Sequence, residues 1–124
     1  PGGHVLFALQ QLALSYLDRT AATVVPFWQM ASSSIDDLAV RAHRLVSAAG
    51  IGEVVASEAI PGAGSAPGTV IPSVAVSVAG DRLAGLRAAV PPIIARTRDG
   101  ATLLDLRSVH PSDDGHLAAA LAAL

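Results

Sequence analysis

The sequence predicts an α+β fold, a mostly antiparallel four-stranded sheet with helices packed on one face. Three observations carry that expectation. Apolar residues recur at helical spacing near both ends of the chain. Residues 70–78 alternate strictly, with Val70, Pro72, Val74, Val76 and Val78 on one face and Ile71, Ser73, Ala75 and Ser77 on the other. Asp99-Gly100 is the favoured two-residue turn of a hairpin.

Taken in order, Val5 to Arg19 reads as a helix, with Val5, Leu9, Leu12 and Tyr16 at helical spacing. So few polar residues interrupt it that cover on more than one side is expected. Thr20 to Ser33 is expected to be a connector carrying Pro26-Phe27-Trp28. Ser34 followed by Asp37 forms a capping box with Asp in place of Glu. It opens a helix whose buried stripe is Ile35, Leu38, Ala42, Leu45, Val46 and Ala49, with Asp37 and Arg41 paired four apart on the exposed side. Gly50 is a natural stop.

Glu53 to Ile60 and Thr69 to Val78 are expected strands. Asp81 to Val90 is a short helix halted by Pro91-Pro92. Ile93–Arg98 and Ala101–Arg107 form the hairpin, and Pro111 to Leu124 closes the chain as a helix with Ser112 as cap. At 124 residues the length fits one domain, 1–124. Within it, 5–33 serve as linking helix and connector and 34–124 as an α/β sandwich. The start, Pro1-Gly2-Gly3-His4 leading straight into helix, is that expected of a piece of a longer protein.

Composition excludes several chemistries. The chain is 52% hydrophobic with a net charge of −2, which gives no bulk attraction to nucleic acid or an anionic membrane. It has no Cys, hence no disulfide, thiolate nucleophile or Cys-based metal site. Every basic residue is Arg and none is Lys, so the chain supplies no amine for a Schiff base. The apolar run from Val5 to Leu17 is too short to span a bilayer and lacks the marks of a signal peptide. A cytoplasmic location is expected.

Hairpin register places Arg96, Arg98, Asp105 and Arg107 on one sheet face, and Ile93, Ala95, Leu104 and Leu106 on the core face. Two readings stand for the charged face: a binding surface for phosphate or carboxylate, whose geometry suits Arg, and a solvated surface paired with itself. Two also stand for Pro61–Gly68, whose three glycines (Gly62, Gly64 and Gly68) relax backbone limits: a long hairpin connection, and a loop shaped to meet a ligand or partner. The loop fits neither G-x-G-x-x-G nor a Walker loop. Ser65 within it has no His-Asp pair to activate it. His110 and His116, six apart, lack metal-ligand spacing, so no metal site is expected, and capping or surface roles fit the four His.

Several segments resemble bacterial selenocysteine synthase, the L-seryl-tRNA(Sec) selenium transferase family. Gly62-Ala63-Gly64-Ser65-Ala66-Pro67-Gly68 followed by Ile71-Pro72-Ser73 resembles its Gly-Gly-Gly-Ser-x-Pro-Gly…Leu-Pro-Ser run. Pro91-Pro92-Ile93-Ile94-Ala95-Arg96, Asp99-Gly100, Leu103–Arg107 and Pro111 follow its C-terminal region in order. Upstream, Pro26-Phe27-Trp28-Gln29-Met30 is similar to its Pro-x-Trp-Arg-Met segment. The sequence departs from the pattern at Gly2-Gly3 (an Asp-Lys pair), Gln10 (Glu), Gln29 (Arg) and Ala63 (Gly).

The resemblance implies the C-terminal small domain of a fold-type-I pyridoxal-phosphate enzyme that converts seryl-tRNA(Sec) to selenocysteinyl-tRNA(Sec) with selenophosphate. It implies a cofactor lysine in a large domain outside this chain, a homo-oligomeric parent, and a fragment with no catalytic residue of its own. Arg96, Asp105 and Arg107 match family positions. With Gly64, Ser65 and Gly68 they are the residues expected to face substrate or cofactor. Two alternatives remain: the small domain of a related pyridoxal-phosphate lyase acting on a small amino acid, and a non-catalytic domain for assembly or tRNA docking.

Overall fold

The computed structural model describes residues 2–62 and 68–124. Ala63 to Pro67, the centre of the Gly-rich loop, lie outside the described residues. The chain divides into two compact units, Pro1–Ser33 and Ser34–Leu124.

The first unit is helical: α1 (Gly3–Leu17), α2 (Ala21–Val24) and α3 (Pro26–Ser32). The expected connector at 20–33 is therefore largely two short helices. The Thr20 carbonyl accepts from the amides of Thr23 and Val24 and starts α2. Pro26 starts α3, where its fixed φ suits a first helical position and its missing N–H costs nothing. Among the described residues of this unit nothing gives α1 the cover expected for it. Only Ser15 is buried, while Leu6, Phe7, Leu9, Leu14 and Leu17 are all exposed. The four-residue α2 and seven-residue α3 are too short to shield a helix that is apolar all round. Tyr16 Oη accepts from Trp28 Nε1 at 2.5 Å and ties α1 to α3.

The second unit contains α4 (Ile35–Ala49), β1 (Glu53–Ala59), β2 (Ile71–Ala79), α5 (Leu83–Ala88), β3 (Arg96–Arg98), β4 (Ala101–Asp105) and α6 (Asp114–Ala122). The four strands run in the order β1-β2-β4-β3, and all neighbours are antiparallel. The expected α+β fold is present. Ser34 caps α4, accepting from the Asp37 amide at 3.0 Å, and Gly50 ends it in the left-handed region at φ 69°.

Helices cover one face. Leu38, Ala42 and Leu45 of α4, Leu86 of α5, and Leu117 and Leu121 of α6 close over Val74, Val76, Val78, Leu104 and Leu106. Val46, Ala49, Ile93, Ala95 and Leu124 pack against this cluster. Ile35, at the first position of α4, is exposed and stands apart from the predicted stripe.

Arg41 does not pair with Asp37. Its Nε and Nη2 donate to the Asp114 carboxylate at 2.9 and 2.7 Å, and other donations reach the carbonyls of Leu106 and Val109. A two-pronged guanidinium–carboxylate pair with supporting carbonyls is stronger than an exposed pair on one helix. Asp37 accepts from the Ser34 hydroxyl instead.

The hairpin has the expected register, with Arg98 opposite Ala101 and Arg96 opposite Leu103. Asp99 and Gly100 take φ of 53° and 79°, the positive pair that this turn requires. The second strand ends at Asp105, two residues before the expected Arg107. The Asp105 carboxylate accepts from the Arg107 amide at 3.1 Å, a local turn that draws the chain out of the ladder. The last helix begins later than expected, after a single 3-10 turn at Pro111–Asp113. His110 caps that turn in place of Ser112, its Nδ1 accepting from the Ser112 amide.

Candidate functional site: the polar sheet face

Strand alternation sends Ser73, Ala75 and Ser77 of β2 to the face opposite the core. Cross-strand register sets Ser57 beside Ser73, Asp105 beside Ala75, and Leu103 beside Ser77. Arg96 joins them as the partner of Leu103. Ser57, Ser73 and Ser77 are buried, and a buried hydroxyl needs a hydrogen-bond partner.

Asp105 supplies two of those partners. Its carboxylate accepts from Ser57 Oγ at 2.9 Å and from Ser73 Oγ at 2.5 Å, besides the Arg107 amide. Arg96 completes the group. Its Nη2 donates to Ser57 Oγ at 2.6 Å and to the Glu58 carbonyl at 3.2 Å, and stands 3.5 Å from Asp105 Oδ2. One residue from each of the four strands thus enters a single network. Arg107 borders it with a 5% exposed side chain, its Nη2 donating to the Pro72 carbonyl at 2.6 Å.

The structure therefore brings Arg96, Asp105 and Arg107 together, as their placement on one face predicts. Arg98 stays outside, exposed, with its nearest charge on Asp99 at 3.7 Å. Gly64 and Ser65 lie outside the described residues. Gly68 is described, and its φ of 76° favours glycine. Ser57 and Ser73 are the members that sequence reasoning missed. The serines on the second face of β2 were a signal, but only the β1–β2 register reveals that Ser57 lies beside Ser73.

A cavity of about 360 Å³ opens at this end of the sheet, lined by Ala59, Ile60, Ile94, Arg96, Leu103 and Asp105, among others. Two guanidiniums against one carboxylate leave the network with an excess positive charge. The cavity itself is lined by one guanidinium, Arg96, and one carboxylate, Asp105, with Arg107 outside its lining; a half-exposed guanidinium among apolar walls suits an anionic group attached to a larger body.

The histidines play other parts. His110 is a cap, and His116 Nε2 donates to the Pro91 carbonyl at 2.9 Å. Among the described residues no three His, Asp or Glu come together as a metal site. No helix among them is long and apolar enough to cross a membrane.

Pyridoxal phosphate is held through a lysine amine, and no Lys occurs in the sequence. The residues of this chain do not fit the cofactor as a covalent host.

Fold and site together define an α+β domain that presents a hydrogen-bonded, cationic sheet face and lacks an amine nucleophile. The model of the family described as L-seryl-tRNA selenium transferase matches residues 4–110. That span takes in all four strands and the whole network, and the chain belongs to this family. No curated protein matches it. The chain is thus a selenocysteine-synthase-related domain, from a family of transferases that is pyridoxal-phosphate-dependent in general.

Proposed function

We propose that the chain is the C-terminal small domain of a selenium transferase that converts seryl-tRNA(Sec) to selenocysteinyl-tRNA(Sec) with selenophosphate. In this reading the parent is cytoplasmic and homo-oligomeric, and its large domain holds pyridoxal phosphate. The chain described here contributes no catalytic residue, and serves as one wall of the substrate site. Residues 5–33 act as linking helix and connector, and 34–124 as the sandwich that carries Arg96, Asp105 and Arg107 toward substrate or cofactor. The observation that carries the reading is the family match over residues 4–110. The absence of Lys from these residues agrees with a reading in which another part of the protein would hold the cofactor.

The test is selenium transfer by the full-length protein, supplied with seryl-tRNA(Sec) and labelled selenophosphate and, separately, with free serine. Labelled selenocysteinyl-tRNA from the first mixture and none from the second is expected. Turnover of the free amino acid alone would point to a lyase and overturn the proposal.

A second reading, a domain for assembly or tRNA docking, is favoured by one observation. The helix α1 carries eight large apolar side chains that are exposed, from Val5 to Leu17. It predicts that full-length Arg96→Ala and Arg107→Ala variants keep their turnover while substitutions on α1 change the assembly state.

A further inference from the structure

We infer that Arg96 is the cation of an oxyanion site on the polar face of the sheet, and that its ligand is a phosphoryl group. All three of its hydrogen bonds leave from Nη2. The N–H bonds of Nε and Nη1 have no partner among the described residues. The side chain is 46% exposed and forms part of the wall of the 360 Å³ cavity. The guanidinium is therefore fixed at one nitrogen and open at the other two, as a positioned anion receptor requires.

The surrounding charge agrees. Asp105, the only carboxylate in the network, already accepts from two hydroxyls and a backbone amide. Glu58 alternates to the opposite strand face, and only its carbonyl reaches Arg96. Arg107 adds a second positive charge but is buried against Pro72, so Arg96 is the cation that a ligand reaches. Ile60 and Ile94, 67% and 76% exposed, flank the opening and give it an apolar rim.

The choice of phosphate over carboxylate rests on the proposed function. A seryl group esterified to tRNA has no free carboxylate, so the substrate anions available are phosphates, carried by the tRNA end or by the selenium donor. Ser57 is a positioning residue here: it holds Nη2 and so aims the open nitrogens.

The test is a titration of the full chain at constant ionic strength, read at the Arg96 Nε–H resonance. The probes are inorganic phosphate, a dinucleoside monophosphate and acetate. Saturable shifts with phosphate are expected, with acetate weaker. Arg96→Lys keeps the charge but loses the planar donor set, and should weaken phosphate about tenfold. Arg96→Ala should abolish saturation, read by calorimetry. Ser57→Ala should weaken binding by a smaller factor while leaving the charge unchanged. Tighter binding of the dinucleotide places the tRNA end at the site, and tighter binding of inorganic phosphate places the donor there.

Phosphate binding that survives both Arg96 substitutions unchanged, or acetate binding tighter than phosphate, would overturn the inference. If Arg96→Ala fails to fold, Arg96→Lys decides. Absence of phosphate binding in a full-length protein that still transfers selenium removes this site alone. Saturable phosphate binding in a protein that transfers no selenium removes the proposed activity and leaves the oxyanion site standing.

Discussion

Val74, Val76 and Val78 alternate along β2 with Ser73, Ala75 and Ser77, and all six are buried, yet the two sets are held by different physics. The valines meet Leu38, Leu86, Leu104 and Leu117, where apolar burial stabilises without regard to direction. On the other face, the buried Ser73 and Ser57 each donate a hydrogen bond to a carboxylate, and such bonds depend on angle and distance. One face therefore depends mainly on volume, the other on the identity of each polar atom. A surface built on identity is the one suited to recognition.

Substitutions on each face should separate these two kinds of dependence. The largest effect is expected on the helix side. Leu106 is fully buried, and Leu106→Ala should lower unfolding free energy by about 2–5 kcal/mol in urea denaturation. A loss below about 1 kcal/mol would mean that the core closes over the gap far better than usual. Asp105→Ala on the polar face should cost about 1–3 kcal/mol, since two buried hydroxyls and an amide lose their acceptor. Asp105→Asn, which keeps the shape and one acceptor oxygen, should cost less, and equal losses would show that the face depends on the full carboxylate rather than on shape.

Smaller effects mark the edges of the comparison. Removing the α4 cap by Ser34→Ala should cost about 1 kcal/mol. Arg98 is on the polar face but outside the network, so Arg98→Ala should change stability by less than about 0.5 kcal/mol. A larger loss would extend the network to the hairpin tip.

Much of this arrangement was legible in the sequence, because it rests on local rules. The Val alternation, the Asp99-Gly100 turn and the Ser34 cap each follow from residues within a few positions of one another. The hairpin register followed from the turn and placed Arg96 and Asp105 together. Tertiary choices were not legible. Arg41 had Asp37 one turn away, and selects Asp114, 73 positions along the chain, because a carboxylate and two carbonyls meet it there. Ser57 was invisible for the same reason, since its role depends on the β1–β2 pairing that sets it beside Ser73, 16 positions along the chain. The short helices at 21–24 and 26–32 were hidden by Pro26, which served as a start rather than a break. Family membership was legible in the order of residues in the Gly-rich run before β2 and in the colinear order of the segments around it.

The central claim is that the polar face serves substrate through Arg96. It is tested most directly by selenium transfer from full-length protein carrying Arg96→Ala, with thermal melting measured on the same sample. The account predicts melting near that of the parent and turnover reduced about a hundredfold, the scale expected when a lost contact lets the substrate sit out of position. Turnover equal to that of the parent, in a protein that folds normally, would contradict it.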